Sequence, residues 1–299
     1  MAVDTKGIES AGRLIEMALE EDLQERGDLT SKATIPESAM ATVNVVAREG
    51  GSLCCAVLIE PVYSELDDRM PLSDRCNVQL LMEDGDRLRP GGIIGQITGP
   101  IRTLLAGERI ALNFLIHLSG IASLTADFVA RVQGSRAVVL DTRKTLPGYR
   151  SLQKYAVRCG GGSNHRMGLY DGVLIKDNHL AARNHSSVAD GVTAAREYLT
   201  ASSLNLPVEV EVDTLEQLRD VLTVQPDIVL LDNMRTADLQ QAVAIRDDVS
   251  PVTLLEASGG IDLESIGCIA GTGVDRISIG GLTHSSPALD IGFDWPNLN

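Results

Sequence analysis

The chain has 299 residues, 44% of them hydrophobic and 22% charged, which is typical of a globular protein large enough for more than one domain. Its net charge of −15 excludes the basic face that nucleic-acid binding requires, and no uncharged apolar run approaches the roughly 18 residues that span a membrane. The N-terminus lacks a secretion signal and the five cysteines are an odd number, so we expect a cytoplasmic protein with reduced thiols.

The N-terminal third has the pattern of a small mixed α/β domain. Apolar side chains recur at helical spacing over residues 8–24, and strand-like runs follow at Thr42–Ala47 and Val78–Met82, between turns rich in glycine. Residues 101–133 predict two apolar helices with a break near Ser119–Gly120.

From about residue 137 the pattern changes to strands that alternate with helices of 10–20 residues. Such alternation predicts a parallel sheet with crossover helices. Six or seven strands favour a closed barrel over an open doubly wound sheet, and no G-x-G-x-x-G motif follows a first strand. The apolar runs are Ala137–Leu140, Gly172–Ile175, Val208–Val212, Ile228–Leu231, Val252–Leu255 and Arg276–Ile279.

Residues 141–179 are a cationic segment in an acidic chain. Seven Lys or Arg stand against three Asp, so the segment carries about +4 while the rest of the chain sums to about −19. Because an acidic surface repels anions at long range, a local group of fixed cations indicates a site for a small, multiply charged anion such as a carboxylate or phosphate. The basic residues are Arg143, Lys144, Arg150, Lys154, Arg158, Arg166 and Lys176, together with His165 and His179.

Polar residues follow nearly every strand of the predicted barrel. In a β/α barrel the carboxyl ends of the strands open onto one face, and that face holds the active site. Glycines in the last loops let backbone N–H groups approach a phosphate, although they also make tight turns. These strand ends are Asp141–Lys144, Lys176–Asn178, Glu211 with Asp213, Asp232–Asn233, Glu256 with Ser258–Gly260, and Gly280–Gly281.

Several of these residues have two interpretations. Lys176 ends an apolar strand, where its ammonium group needs a counter-charge from either Asp177 or a bound anion. Glu211 and Asp232 are acidic groups facing cations, which is reasonable if a divalent metal or sugar hydroxyls lie between them. Arg150, Lys154 and Arg158 recur at near-helical spacing and are interpreted chiefly as one face of a helix.

Three motifs in the cationic segment resemble the signature of the quinolinate phosphoribosyltransferase family. They are DTRKTLPG from Asp141, GGGSNHR from Gly160 and LIKDNH from Leu174. The similarity continues, in order, over nearly the full chain, through Glu20–Ser31, Gly107–Ile121, Val208–Leu218, Leu230–Asn233, Leu255–Ile261 and Gly280–Gly292.

The resemblance implies an N-terminal α/β sandwich and a β/α barrel with fewer than eight regular strands. The expected limits are 1–118 for the first domain with its bridging helices, 119–282 for the barrel, and 283–299 for a segment that packs back on the first domain. It also implies a homodimer with a shared active site, assembled in some members into a hexamer. The implied reaction joins quinolinate to 5-phosphoribosyl-1-pyrophosphate with Mg²⁺, and gives nicotinate mononucleotide, pyrophosphate and carbon dioxide for NAD synthesis.

The resemblance also assigns expected roles to single residues. Arg143, His165, Arg166 and Lys176 would bind the quinolinate carboxylates, joined by Arg109 from the partner subunit. Lys144 would contact the phosphoribosyl donor. Glu211 and Asp232 would contact ribose hydroxyls and, through pyrophosphate and water, the metal; with Lys144 and Lys176 they form the expected catalytic set. The loops expected to cradle the 5-phosphate contain Ser258, Gly259, Gly260, Gly280 and Gly281.

Three other functions fit parts of the sequence. A phosphoribosyltransferase that acts on nicotinate without decarboxylation would need fewer fixed cations, and release of carbon dioxide discriminates against it. A Schiff-base barrel aldolase would use Lys176 as nucleophile and would be trapped there by borohydride. A non-catalytic anion-binding protein would bind quinolinate without turnover, but it would have no need of the acidic pair Glu211 and Asp232.

Overall fold

The computed structural model describes residues 5–70, 72, 74–182 and 187–296. The helices in this part of the chain are α1 (Thr5–Leu23), α2 (Leu29–Thr34), α3 (Ile59–Arg69), α4 (Ile101–Arg131), α5 (Arg150–Cys159), α6 (Asp177–Ala182), α7 (Val188–Ala201), α8 (Leu215–Leu222), α9 (Thr236–Val249), α10 (Ile266–Ala270) and α11 (Gly281–His284). The strands are β1 (Met40–Ala47), β2 (Gly51–Ser52), β3 (Asn77–Leu80), β4 (Arg87–Leu88), β5 (Ile93–Pro100), β6 (Val138–Leu140), β7 (Val173–Ile175), β8 (Val208–Val212), β9 (Ile228–Asp232), β10 (Leu254–Ser258), β11 (Arg276–Ser278) and β12 (Ile291–Asp294).

The chain divides into two compact units. The first contains the residues up to Ala126, the segment 145–161 and the residues from Ser285 onward, and the second contains 127–144 and 162–284. The expected domain limits at 118, 119–282 and 283–299 stay predictions, and the last three residues of that final segment lie outside the described part of the chain. The units differ from those limits mainly because α5 belongs to the first unit.

The core of the first unit is an antiparallel sheet with the strand order β12-β1-β5-β3. Val43, Val45 and Ala47 of β1 are fully buried, as expected for a strand with one face against a core. The sequence patterns did not indicate β5, because two glycines interrupt its apolar residues. Those glycines allow close strand approach, since a Cβ on Gly95 would lie 2.8 Å from the Gln79 carbonyl oxygen and one on Gly99 2.5 Å from the Cys76 sulfur.

A single continuous helix, α4, replaces the two helices predicted over 101–133. The predicted break near Ser119–Gly120 is wrong because both residues serve helix packing. The Ser119 hydroxyl is fully buried and accepts a hydrogen bond from the Cys54 N–H at 3.0 Å. A Cβ on Gly120 would lie 2.0 Å from the Pro287 carbonyl oxygen, so glycine here permits contact with another segment of the first unit.

Helix α4 is also long and apolar enough to cross a membrane, in contrast to the sequence prediction that no such run exists. Length and composition alone are weak evidence for a membrane span, because the core helix of a soluble protein satisfies the same criteria. Of its most apolar 18-residue window, 56% is buried inside the protein. The residues Leu115, Leu118 and Ile121 are fully buried, which is the arrangement of a core helix.

One of the three cations assigned to a single helix face is not at the surface. Arg150 and Arg158 are half-buried on α5, but Lys154 between them is fully buried. The interpretation as one face of a helix is confirmed, since all three lie on α5 at intervals of four, but this face is not solvent-exposed at Lys154. Spacing alone cannot separate a buried lysine from an exposed one, because both recur with the helical period.

The second unit has a six-stranded parallel sheet with the order β6-β11-β10-β9-β8-β7. Each neighbouring pair is parallel and the connections between β7 and β11 contain helices, so the predicted α/β class with fewer than eight regular strands is confirmed. On the far edge of β6, a short bridge pairs Leu140 with Ser163. The β10 strand begins two residues later than the apolar pattern predicted and extends to Ser258.

The close approach at Gly120 yields a stability prediction. Gly120→Ala places a methyl group against the Pro287 carbonyl, and overpacking of this kind costs about 1–3 kcal/mol, so the thermal unfolding midpoint should fall by several degrees. Gly12→Ala in α1 is the matched control, because nothing lies within 4 Å of its added Cβ and alanine favours helix. Equal midpoints for the two variants would contradict the packing role of Gly120.

Candidate active site

A cavity of about 730 Å³ opens in the second unit at the carboxyl ends of the parallel strands. Its lining contains twelve of the thirteen residues expected to form the site. Arg109 is the exception, since it lies exposed on α4 in the first unit. The twelve are Arg143, Lys144, His165, Arg166, Lys176, Glu211, Asp232, Ser258, Gly259, Gly260, Gly280 and Gly281.

Strand register brings these residues to one level. Ser258 at the end of β10 is paired with Asp232 of β9 on one side and with Ser278 of β11 on the other. Glu211 of β8 is paired with Leu230, which also lines the cavity. Because parallel strands that share a register end at the same edge, residues distant in sequence meet there.

Two cations that line the cavity differ in their contacts. Lys176 has an acidic partner, whereas the Nε of Arg143 has no hydrogen-bond partner among the described residues. Lys176 Nζ forms an ion pair with Glu211 Oε2, so its counter-charge is Glu211 and not the adjacent Asp177. The Arg143 Nε is buried and has no hydrogen-bond partner among the described residues. Buried donors are nearly always satisfied, so an orphaned guanidinium N–H beside a cavity indicates the position of an anionic ligand.

Arg166 lies close to Arg143, and the two positive charges oppose one another. Burial and the Arg143 charge both lower the pKa of Arg166 from its ordinary value. Its Nη1 donates to the Gly172 carbonyl oxygen at 3.0 Å, which fixes the direction of the guanidinium plane. Two arginines held side by side form a site suited to a ligand with more than one negative charge.

The glycine loops that follow β10 and β11 are required in part by backbone geometry. Gly259 has φ +98°, and a Cβ there would lie 2.2 Å from Asn233 Oδ1, so the tight-turn interpretation accounts for this glycine. Gly260 has φ +60°, but nothing lies within 4 Å of its Cβ position. A Cβ on Gly280 would lie 2.9 Å from Lys144 Cδ, which shows that the last loop packs directly against the first.

Beneath the cavity floor lies a charged cluster that the sequence patterns did not reveal. We call His165, Glu209, Glu256 and Arg276 the floor cluster. His165 Nε2 lies 3.1 Å from Glu209 Oε2 and 3.4 Å from Glu256 Oε1, and Arg276 Nε donates to Glu256 Oε2 at 2.7 Å. Alternation of side chains in the strand segment 208–212 could have indicated that Glu209 shares a face with Glu211, but not that His165 lies opposite.

The floor cluster changes the proton affinity of His165. Burial lowers the pKa of the imidazole, but contacts with Glu209 and Glu256 outweigh burial and raise the pKa to about 9. The Arg166 N–H points at Nδ1 at 2.7 Å and opposes a second ring proton, but one neutral contact between adjacent residues contributes less than two buried carboxylates. Burial also raises the pKa of Glu209, but two carboxylates at Nε2 favour the protonated ring at neutral pH.

The floor cluster is better described as an ion-pair network than as a metal centre. Ligand atoms of His165, Glu209 and Glu256 lie within 4.8 Å of one another, the one such three-residue group in the described part of the chain. Arg276 already occupies one oxygen of Glu256, and a guanidinium at this position repels a divalent cation. In the described residues Glu211 and Asp232 belong to no such group, and their indirect contact with a metal stays a prediction.

The raised pKa of His165 can be measured by nuclear magnetic resonance. The ring proton signals of His165, assigned by their loss in His165→Gln, should titrate with a midpoint near pH 9, above the ordinary value of about 6.5. His117 is an internal control of opposite sign, because burial lowers the pKa of its ring. A His165 midpoint at or below that of His117 would show that the two carboxylates do not control this ring.

Comparison with known proteins places this cavity within one family. The sequence model for the N-terminal domain of quinolinate phosphoribosyl transferase matches residues 28–119, and that for the C-terminal domain matches 121–294. A nicotinate-nucleotide pyrophosphorylase (carboxylating) of Mycobacterium leprae is 46% identical over 96% of this chain and 97% of its own length. A probable enzyme of the same name from Bacillus subtilis is 41% identical over 90% of this chain and 88% of its own.

Solved structures agree with the sequence comparison. The nicotinate-nucleotide pyrophosphorylase of Francisella tularensis superposes with a TM-score of 0.87 at 37% identity, and 96% of each chain is covered. Human nicotinic acid phosphoribosyltransferase shares only the fold, with a TM-score of 0.58 at 14% identity. With both domain models matched along nearly the whole length, the chain belongs to the quinolinate phosphoribosyltransferase family.

Proposed function

We propose that the protein transfers the phosphoribosyl group of 5-phosphoribosyl-1-pyrophosphate to quinolinate and decarboxylates the product to nicotinate mononucleotide. The observation that carries this proposal is the lining of one cavity, which brings together two neighbouring arginines, two lysines, an acidic pair and two glycine loops. Relatives of this chain have names that describe this activity, and the family match over residues 121–294 includes every residue that lines the cavity.

Quinolinate has two carboxylates on adjacent ring carbons, and the cationic side of the cavity suits them. Arg143, Arg166 and Lys176 bind the carboxylates, because guanidinium groups form paired hydrogen bonds with a carboxylate. The buried Arg143 Nε, which has no protein partner among the described residues, gains one when the substrate binds. His165 adds a fixed positive charge at the cavity floor.

The phosphoribosyl donor occupies the other side. Lys144 contacts the donor, and the loops at Ser258–Gly260 and Gly280–Gly281 receive its 5-phosphate through backbone N–H groups. A Cβ on Gly280 would lie 2.9 Å from Lys144 Cδ, so the lysine lies beside the second glycine loop. This contact supports a donor site formed by both.

Glu211 and Asp232 lie between the two substrate regions and act on the ribose. Departure of pyrophosphate leaves positive charge on the anomeric carbon, and two carboxylates nearby stabilise that charge. The pyridine nitrogen attacks this carbon, so no side chain is required as a nucleophile. The ion pair with Glu211 also fixes Lys176 toward the reacting centre.

The residues present fit a Mg²⁺ ion bound indirectly. Asp232 accepts a hydrogen bond from Asn233 Nδ2 at 2.7 Å and Glu211 binds Lys176, so both carboxylates are oriented but offer no closed ligand set. They would hold the ion through water and pyrophosphate, where it would neutralise charge on the leaving group.

Decarboxylation follows from the same geometry. N-ribosylation makes the pyridine ring cationic, so the ring stabilises the electron pair left at C2 when the C2–carboxylate bond breaks and carbon dioxide leaves. C2 then takes up a proton from water. Arg143, Arg166 and Lys176 orient that carboxylate away from stabilising solvent. The alternative role of Lys176 as a Schiff-base nucleophile is disfavoured, because its Nζ is bound to Glu211 and does not lie in the apolar setting that activates such lysines.

A product assay tests the proposed function. With quinolinate, 5-phosphoribosyl-1-pyrophosphate and Mg²⁺, the protein should form nicotinate mononucleotide, pyrophosphate and carbon dioxide in equal amounts. Nicotinate in place of quinolinate is the control, and it should give little product because it lacks the second carboxylate. Turnover of nicotinate without carbon dioxide would support the alternative phosphoribosyltransferase, and no product with either acid would refute the proposal.

We further propose that the working enzyme is a homodimer in the cytoplasm, in which Arg109 of one subunit completes the neighbouring site. Arg109 is exposed on α4 and does not line the cavity of its own chain. The further assembly of dimers into a hexamer stays a prediction.

The shared site can be tested by mixing two inactive variants. Arg109→Ala and Lys176→Ala should each lose activity by more than about 30-fold, because each removes a charged partner of the substrate. Unfolded together and refolded, they should recover about a quarter of the activity of the unaltered enzyme, since half the dimers are mixed and each mixed dimer has one intact site. Recovery no greater than that of Arg109→Ala alone would show that Arg109 acts within its own chain or not at all.

A further inference from the structure

Two carboxylates lie one layer below the cavity floor, at positions that are normally apolar in a barrel. On β8, Glu211 lines the cavity and Glu209, two residues earlier on the same face, is 4% exposed. On β10, Ser258 lines the cavity and Glu256, two residues earlier, is fully buried. Because side chains two apart in a strand share a face, both glutamates lie on the cavity-side face of the sheet, beneath the cavity.

His165 connects this acidic layer to the cavity. Its side chain is 9% exposed and lines the cavity, while its Nε2 faces Glu209 and Glu256 at 3.1 and 3.4 Å. Its backbone N–H donates to the buried Asp141 carboxylate at 3.0 Å, which fixes the main chain under the ring. The two carboxylates therefore hold the ring at Nε2, and Asp141 holds the main chain to which the ring is attached.

With both glutamates ionised, the charges of the floor cluster balance when the imidazole is cationic, although burial also raises the pKa of Glu209. Glu209 and Glu256 contribute two negative charges, and Arg276, paired with Glu256 at 2.7 Å, offsets one of them. Glu256 Oε1 is fully buried and has no hydrogen-bond partner in the described part of the chain, so it requires a positive charge nearby. The other charged groups near the ring are Asp141, which accepts its backbone N–H, and Arg166, the next residue.

Stability does not explain this arrangement. Buried ion pairs seldom improve on well-packed apolar residues, because desolvation offsets their attraction. The neighbouring position Ile228, paired with Glu209 across β8 and β9, is apolar and buried, so the layer accommodates hydrophobic side chains. Two buried acids at this level are therefore better explained by what they do to the cation above them.

We propose that Glu209 and Glu256 are positioning residues for the dicarboxylate substrate, because they hold the His165 ring in place as an imidazolium that adds one positive charge to the cavity floor. This inference rests on the proposed function, since quinolinate is the ligand whose second carboxylate requires that charge. Glu209 also attracts the Arg166 guanidinium, which the Arg143 charge repels, before the substrate arrives. The glutamates act through His165 and do not touch the substrate themselves.

Equilibrium binding of quinolinate at several pH values tests the inference. Carboxylic acids ionise near pH 4, so quinolinate stays a dianion from pH 6 to 9 and only the protein titrates. In the unaltered protein the dissociation constant should be nearly constant between pH 6 and 8 and should rise as the pH passes about 9. In Glu209→Gln the rise should begin near pH 6.5, with about tenfold weaker binding at pH 8 than at pH 6.

Two control variants separate charge from structure. Glu211→Gln makes the same substitution on the same face of β8, but Glu211 binds Lys176 and not His165, so it should leave the pH midpoint unmoved. His165→Gln should bind quinolinate more weakly than the unaltered protein at every pH below about 9 and should lose the rise near pH 9. Nicotinate is the matched ligand, and its smaller charge should make its binding less sensitive to Glu209→Gln.

The outcomes discriminate between the inference and the proposed function. Calorimetry requires no turnover, so failure of the unaltered protein to bind quinolinate would reject the proposed function. Normal binding with an unmoved midpoint in Glu209→Gln, or equal weakening at all pH values, would reject only the inference. If Glu209→Gln does not fold, Glu256→Gln gives the same test; if neither folds, a pH profile shared by the unaltered protein and His165→Gln would overturn the inference.

Discussion

Like charges repel, and this constraint governs the active site. Arg143, Lys144, Arg166, Lys176 and His165 share one cavity in a protein whose net charge is −15. Carboxylates at two depths, one lining the cavity and two beneath it, reduce the repulsion between these cations. Glu211 neutralises Lys176 within the cavity, and the buried glutamates neutralise His165 below it. The site stays basic toward a ligand because some of its cations, including the unsatisfied Arg143 Nε, retain unused donors.

The parallel sheet makes this charge layering possible. Side chains alternate along each strand, so one strand supplies residues to two successive levels of the barrel interior. β8 places Glu211 at the upper level and Glu209 at the lower, and β10 does the same with Ser258 and Glu256. The strand register then sets which residues of neighbouring strands meet, as Ser258 does with Asp232.

The glycines of the two units are required for different structural reasons. In the first unit, Gly95, Gly99 and Gly120 allow backbones or side chains to approach where a Cβ would collide, so they belong to packing. In the second unit, Gly259 and Gly260 have positive φ and form a loop that lines the cavity. A sequence shows only that a residue is glycine; whether it ends an element, as was predicted for Gly120, or permits contact depends on what lies beside it.

The sequence by itself determined the α/β class, the approximate positions of most strands and the cationic segment, because periodicity and local charge are properties of neighbouring residues. Tertiary structure decided which distant residues meet. The continuity of α4, the burial of Lys154, the pairing of Lys176 with Glu211 and the contact of His165 with Glu209 and Glu256 all depend on segments that are far apart in the chain. Alternation along a strand assigns a side chain to a face, but only strand register and the fold determine what lies across from it.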